Sequence, residues 1–180
     1  MVGKQVTGGR LGIVGMGRVG RAFAEKARGF GMEIHYHNRS PLPPEEERGA
    51  IFHQDLDDLL EVSDFLSLHC PATGDTKDLL DATRIAKLPR GAVVVNTARG
   101  ALVDEDALLA AIRSGHLAAA GLDCFKEEPG GNPAFSRHEN IFMLPHIGSA
   151  TVSTRDAMGY RALDNLDAFF AGQDAGDRLV

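Results

Sequence analysis

Leu11-Gly-Ile-Val-Gly-Met-Gly-Arg-Val-Gly20 is the stretch on which the fold turns. Its branched apolar start reads as a strand. The glycine-rich segment that follows at once (Gly15, Met16, Gly17, Arg18, Val19, Gly20) opens a run of helical period. Each glycine has its own task in such a turn: Gly15 permits the tight reversal, Gly17 lets the backbone approach a pyrophosphate, and Gly20 lets helix and strand pack closely. The free N–H groups around Arg18 and Val19 then point at the phosphates. A glycine-rich turn without a ligand is the plainer alternative, but a strand before it and a helix after it favour a dinucleotide fingerprint.

Outward from this point, short branched runs alternate with helical segments: Glu33-Ile-His-Tyr36, Phe65-Leu-Ser-Leu-His69, Ala92-Val-Val-Val-Asn96, Ala118-Ala-Ala-Gly-Leu122 and Ile141-Phe-Met-Leu144, with a further short one at Ala50-Ile-Phe52. That alternation predicts an α/β fold, a doubly wound parallel sheet covered on both faces, as one dinucleotide-binding domain over residues 1–180. In the first helix Val19, Phe23, Ala27 and Phe30 are expected to form the buried stripe, opposite Arg21, Glu25 and Arg28. Asp55 and Asp104 read as N-caps, the latter for a helix with an acidic first turn, Arg113 in its last turn and Gly115 beyond it. Pro41-Leu-Pro-Pro44 ahead of three glutamates reads as a loop that starts a helix. Met158, Ala162, Leu166, Phe169 and Phe170 give a last helix, at about 153–172, an apolar stripe that needs a partner surface.

Composition narrows the function. With 180 residues and a net charge of -6, the chain lacks the basic footprint that phosphate-backbone binding requires, so nucleic acid is not an expected partner. No apolar run approaches a membrane span, and the N-terminus lacks a signal peptide's apolar core, which predicts a soluble protein. Cys70 and Cys124 fall outside any disulfide or zinc spacing, so a reducing, cytoplasmic setting is expected. His35 and His37, one residue apart, have no third ligand in sequence, and a strand face explains them better than a metal.

The end of the second strand speaks to the cofactor. An NAD domain places an acid there to accept the ribose hydroxyls, whereas this chain reads Tyr36-His37-Asn38-Arg39-Ser40. Arg39 can pair with a 2′-phosphate, and Asn38 and Ser40 can donate to it, so NADP(H) is preferred and NAD(H) stays open as the alternative. Arg39 as a merely solvated loop residue is the competing explanation.

Three further segments at strand ends carry candidate chemistry: Asn96-Thr-Ala-Arg-Gly100, Asp123-Cys-Phe-Lys-Glu-Glu-Pro129 and Leu144-Pro-His-Ile-Gly-Ser-Ala-Thr151. Together with the fingerprint, in this order and spacing, the chain from about Gly8 to about Gly172 resembles the D-isomer-specific 2-hydroxyacid dehydrogenases. The resemblance implies a Rossmann-type domain with Arg99 binding substrate, His146 as acid/base and Glu128 as its carboxylate partner. It also implies that Asp123 contacts the nicotinamide amide, that Cys70, Pro71 and Thr76 line the cofactor groove, and that Thr97, Ala98 and Gly148 touch the nicotinamide end.

The chemistry asks for those residue types. Reducing a 2-oxo acid needs a hydride at the carbonyl carbon and a proton for its oxygen, which His146 can supply. A carboxylate beside it favours the imidazolium and orients the ring. Arg99 offers a fork of donors to the substrate carboxylate or carbonyl. In the formate dehydrogenase branch the histidine's partner is Gln, so Glu128 points to a hydroxyacid. The Asn38-Arg39-Ser40 turn is similar to that of the glyoxylate and hydroxypyruvate reductases, which implies small 2-oxo acids as substrates. Taken singly, Arg99, Glu128 and His146 could be a surface ion pair, a loop acid and a satisfied histidine.

Family members begin with a substrate domain, and this sequence starts nine residues before its first strand. The expectation is therefore a cofactor domain whose last helix crosses toward an absent substrate lobe, with poor turnover by itself, or a free-standing module. The family also implies a homodimer. A non-catalytic, nucleotide-dependent binding or dimerisation module, as in the similar C-terminal-binding-protein corepressors, is the second class of function.

Overall fold

Strands buried on both faces have to be largely apolar, a demand that residues 11–14, 65–68 and 92–96 meet, whereas residues 33–37 meet it at Ile34 and Tyr36. A computed structural model describes residues 3–177 of the chain. In order these form β1 (Arg10–Val14), α1 (Arg18–Arg28), β2 (Glu33–His37), α2 (Pro44–Glu47), β3 (Ile51–Phe52), α3 (Leu56–Val62), β4 (Phe65–Leu68), α4 (Ala82–Ile85), β5 (Ala92–Asn96), α5 (Glu105–Arg113), β6 (Leu117–Leu122), β7 (Ile141–Met143) and α6 (Val152–Phe170). The chain divides into two compact units, Met1–His146 and Ile147–Val180.

The first unit holds one sheet in the order β3-β2-β1-β4-β5-β6-β7, with every pairing parallel. The chain builds outward from β1 to β3, then returns to β4 on the other side of β1. Ligands of such sheets bind at this reversal, outside the carboxyl ends of the strands. The register sharpens the point, because His37, Val14, Leu68, Asn96, Leu122 and Met143 are successive partners across the sheet. Six loops, including those that begin at Gly15, Asn38, His69, Thr97 and Asp123, therefore leave the sheet from a single row.

Two cores cover the sheet. One gathers Leu59, Leu66, Leu68, Val94, Leu108 and Phe135 under α3, α4 and α5, and the other gathers Leu11, Ile13, Ile34 and Tyr36 against Ala24 and Ala27 of α1. Each fully buried Leu or Ile contributes about 1.5–3 kcal/mol relative to exposure. The caps form as expected. Asp55 accepts from the Asp57 N–H at 2.9 Å, and Asp104 accepts from the Asp106 and Ala107 N–H groups at 3.0 and 3.1 Å.

The expected stripe on α1 holds at Ala27 and, partly buried, at Phe23, but not at Val19 and Phe30. Gly20, Ala24 and Ala27 are the buried residues, Val19 is 65% exposed, and Phe30 lies beyond the helix end at 61%. The buried face of the helix carries small side chains, with Phe23 partly buried beside them. Glu25 on its outer face pairs with Arg28 and Arg48, while Arg21 pairs with Glu46 of α2.

In the second unit Thr151 caps α6 by accepting from the Thr154 N–H at 3.2 Å. Asp177 accepts from Arg161 and from Asn165 Nδ2, which fixes the chain after the helix. Met158, Leu166, Phe169 and Phe170 are exposed. Among the described residues no helix is long and apolar enough to cross a membrane.

Candidate active site

The glycines of the first loop are required for different reasons. Gly15 has a φ of +95°, and a Cβ there would stand 2.5 Å from the Cys70 nitrogen. At Gly20 a Cβ would stand 2.3 Å from the Gly15 carbonyl oxygen. Gly17 is different, since its Cβ would meet nothing within 4 Å. Two of the glycines thus serve the protein's own packing and the third keeps a space open, at the N-terminus of α1. The first donor inside that helix is the Arg21 N–H, bonded to Gly17 O at 2.9 Å, which leaves the preceding N–H groups facing outward. Open space, free N–H groups and a helix N-terminus together suit a pyrophosphate.

A groove of about 670 Å³ extends from there, lined by Gly15, Met16, Gly17, Asn38, Arg39, Ser40 and Thr76 among others. Asn38 Oδ1 accepts from the Met16 N–H at 2.7 Å, so its amide holds the glycine loop and only its Nδ2 is left to donate to a ligand. Arg39 and Ser40 are exposed, and among the described residues Arg39 has no ion-pair partner. Glu46 also lines the groove but is paired with Arg21. Thr76 Oγ1 accepts from the Thr73 N–H at 2.7 Å and donates to Pro71 O at 2.8 Å, which shapes the wall beyond Cys70.

A second cavity, of about 1110 Å³, shares His69, Cys70 and Pro71 with the groove. Arg18, Val19, Thr97, Ala98, Arg99, Glu128 and His146 all line it. Here His146 Nδ1 lies 2.7 Å from Glu128 Oε2, and Glu128 Oε1 accepts from the Phe125 N–H at 2.8 Å. The His146 ring and that amide hold the Glu128 carboxyl below the usual carboxylate range. His146 itself has a φ of +56°. For a residue with a Cβ this costs about 1–2 kcal/mol, and such strain collects at functional sites.

Arg99 sits in a turn held from below. Asn96, 1% exposed, donates from Nδ2 to Arg99 O at 2.9 Å and accepts the Ala98 N–H on Oδ1 at 3.1 Å. The next residue, Gly100, is buried against the loop that carries Glu128, where a Cβ would come within 1.9 Å of the Phe125 carbonyl carbon. Asn96 and Gly100 bound one of the three segments at strand ends, but the sequence assigns neither a role beyond the turn signal of an Asn at a strand end. His69 was also not singled out. It is partly buried, bonded to Ser67 Oγ at 2.9 Å and shifted toward neutrality by burial.

One expected residue is not among those lining this cavity. Asp123 is 4% exposed at the end of β6, where its N–H bonds Asn96 O at 3.0 Å, and it does not line the cavity. Gly148 belongs to the second unit. Both cysteines are free thiols. Burial pushes Cys70 up and Cys124 up to about 11, which leaves neither a ready nucleophile. His35 and His37 do not converge on one point: His35 bridges His53 at 2.9 Å and Glu33 at 2.6 Å, while His37 Nδ1 donates to His53 O at 3.0 Å.

The family described as D-isomer specific 2-hydroxyacid dehydrogenase, NAD binding domain, matches residues 1–148. The chain belongs to this family. As a 2-hydroxyacid dehydrogenase cofactor domain it is 44% identical to a glycerate dehydrogenase of Hyphomicrobium methylovorum over 100% of the chain and 56% of that relative. Among solved structures, a glyoxylate reductase from Paecilomyes thermophila superposes with a TM-score of 0.90 at 43% identity, over 93% of this chain and 51% of that one. An NADPH-dependent glyoxylate/hydroxypyruvate reductase from Sinorhizobium meliloti, in complex with NADP and malonate, gives 0.86 at 38% identity, over 91% and 50%. The 2-hydroxyacid dehydrogenase domain thus spans about half the length of the curated relatives it matches.

Proposed function

We propose that this chain is the cofactor half of a dehydrogenase that transfers a hydride between NADP(H) and a small 2-oxo or 2-hydroxy acid such as glyoxylate or hydroxypyruvate. The observation that carries the reading is the Glu128–His146 pair, facing a cavity that also holds Arg99 and shares His69, Cys70 and Pro71 with the glycine-loop groove. When bound, the nicotinamide supplies the hydride. The residues of this chain supply the rest.

The N–H groups at the start of α1 and the space over Gly17 would receive the pyrophosphate, and Arg39 with Ser40 the 2′-phosphate. Arg99 would fork onto the substrate carboxylate or carbonyl and draw charge toward the oxygen. Glu128, held ionised by its two hydrogen-bond donors, occupies His146 Nδ1 and leaves Nε2 as the nitrogen that exchanges a proton with the substrate oxygen. This division of labour supports preference for NADP(H) over NAD(H), because no acid stands at the end of β2 to repel a 2′-phosphate.

NADPH oxidation in the presence of glyoxylate or hydroxypyruvate tests the reading, with this chain and with the chain joined to a substrate lobe of the family. Positioning of substrate at near-attack distance can supply several kcal/mol of barrier reduction, so the joined protein should be far faster. His146→Gln should abolish its turnover. NADPH binding without any turnover in the joined protein would instead favour a nucleotide-dependent binding module. The proposal extends to a homodimer in the cytoplasm, with the apolar stripe of α6 covered in the assembled protein.

A further inference from the structure

We propose that Glu105 is a positioning residue, whose carboxylate fixes the loop that presents Glu128 to His146. The inference rests on the reading of Glu128 and His146 as a working pair. Glu105 is the first residue of α5, yet capping that helix is left to Asp104, whose side chain accepts both the Asp106 and Ala107 N–H groups. The Glu105 carboxylate is thereby free to reach away from the helix. Its Oε1 accepts the Lys126 N–H at 2.9 Å, and its Oε2 accepts from Asn132 Nδ2 at 3.1 Å.

Those two partners bracket Glu128. The segment between them reads Lys-Glu-Glu-Pro-Gly-Gly-Asn, and it lies outside the sheet ladder. Gly130 and Gly131 both have positive φ, so the backbone there is held by few intrinsic preferences. Inside the loop the Gly131 N–H reaches Glu127 O at 3.0 Å, and Asn132 Oδ1 accepts the Ala134 N–H at 3.0 Å. A carboxylate that accepts at both ends of such a loop sets where the Phe125 N–H and Glu128 stand. Lys126 adds a tether by pairing with Asp78. The helix start brings Glu105 its position through the Asp104 cap, so the fixed end of α5 is transmitted to a loop that lies outside the sheet and is otherwise held by short-range turn contacts.

The test uses the chain as it stands and needs no turnover. Carbon-13 NMR of labelled glutamate carboxyls follows the titration of Glu128, and hydrogen exchange follows the Lys126 amide. In Glu105→Ala the Glu128 carboxyl should titrate at higher pH than in the native chain, and the Lys126 amide should exchange about tenfold faster or more, the loss expected for one charge-assisted hydrogen bond. NADPH affinity should stay native, because the glycine loop is untouched. Asp106→Asn removes the same charge from the first turn of α5 without a loop contact and should leave Glu128 unchanged.

Glu105→Gln can still accept from Lys126 but presents an amide to Asn132. Adding Asn132→Asp gives that amide an acceptor, so the double variant should restore native Glu128 titration. A Glu105→Ala chain that folds and keeps the native Glu128 titration overturns the proposal, as does an equal effect from Asp106→Asn. Failure of the oxidoreductase reading would appear separately, in the joined protein's turnover.

Discussion

Replacing Gly100 with alanine should damage the protein out of proportion to one methyl group. The added Cβ would lie 1.9 Å from the carbonyl carbon of Phe125, 2.1 Å from its oxygen and 2.3 Å from the Lys126 nitrogen. Since Cβ atoms keep at least 3.0 Å from their neighbours, the two backbones must separate by about 1 Å. Both segments carry site residues, Arg99 on one side and Glu128 on the other, and neither obstacle is a flexible side chain. Overpacking of a rigid site costs about 1–3 kcal/mol, and a backbone obstacle puts this case at about 3 kcal/mol. For a chain of this size that corresponds to a fall in melting temperature of about 6–12 °C. Thermal unfolding followed by circular dichroism reads it directly. Gly121→Ala is the control, because its Cβ would meet Val95 Cγ2 at an ordinary 3.8 Å, and its melting point should stay near native. A Gly100→Ala chain that melts with the native protein and keeps the native Glu128 titration would refute the reasoning.

Asp64 accepts from Lys4 Nζ at 3.0 Å and from Arg10 Nε at 2.9 Å, and the Arg10 guanidinium foremost holds its carboxyl well below the usual range. A depressed carboxyl stabilises the fold fully above its unfolded value, near 3.9, and loses that contribution as pH falls toward its folded value. Asp64→Asn should therefore cost about 1–2 kcal/mol at pH 7, after allowance for solvent at Arg10, and melts of the two proteins should converge as pH is taken well below about 4. Arg39→Asp should reverse the cofactor preference, weakening NADPH about 10–100-fold by calorimetry while sparing NADH; equal native affinities for the two would sink the assignment of Arg39. Sedimentation should find a dimer, and a monomer at tens of micromolar would contradict that proposal.

The sheet was readable because its determinants are local. Branched runs, the glycine loop between Gly15 and Gly20 and the caps at Asp55 and Asp104 each act within a few residues, and each appears where its pattern predicts. The stripe on α1 shows the limit of such reasoning. Of the expected residues Ala27 is buried and Phe23 packs partly buried against the core, but Val19 and Phe30 are exposed, because the buried face is Gly20, Ala24 and Ala27, and at Gly20 a Cβ would stand 2.3 Å from the Gly15 carbonyl oxygen. Val19 is left to line the cavity. Exposure of an apolar side chain there follows from what must pack beneath the helix.

The site follows the same division. Arg99, Glu128 and His146 are recognisable by residue type and motif, but what brings them together is a row of sheet partners running from His37 to Met143, which no single segment contains. Contacts between loops then refine that row. Asn96 shapes the Arg99 turn from beneath, Gly100 sets its distance from the next loop, and Glu105 fixes that loop about the Glu128–His146 pair. All three lie on or beside the segment between β5 and α5. That segment is therefore where substitutions should uncouple the Arg99 loop from the Glu128 loop while leaving the groove at the glycine loop, which is built from β1, β2 and β4, intact.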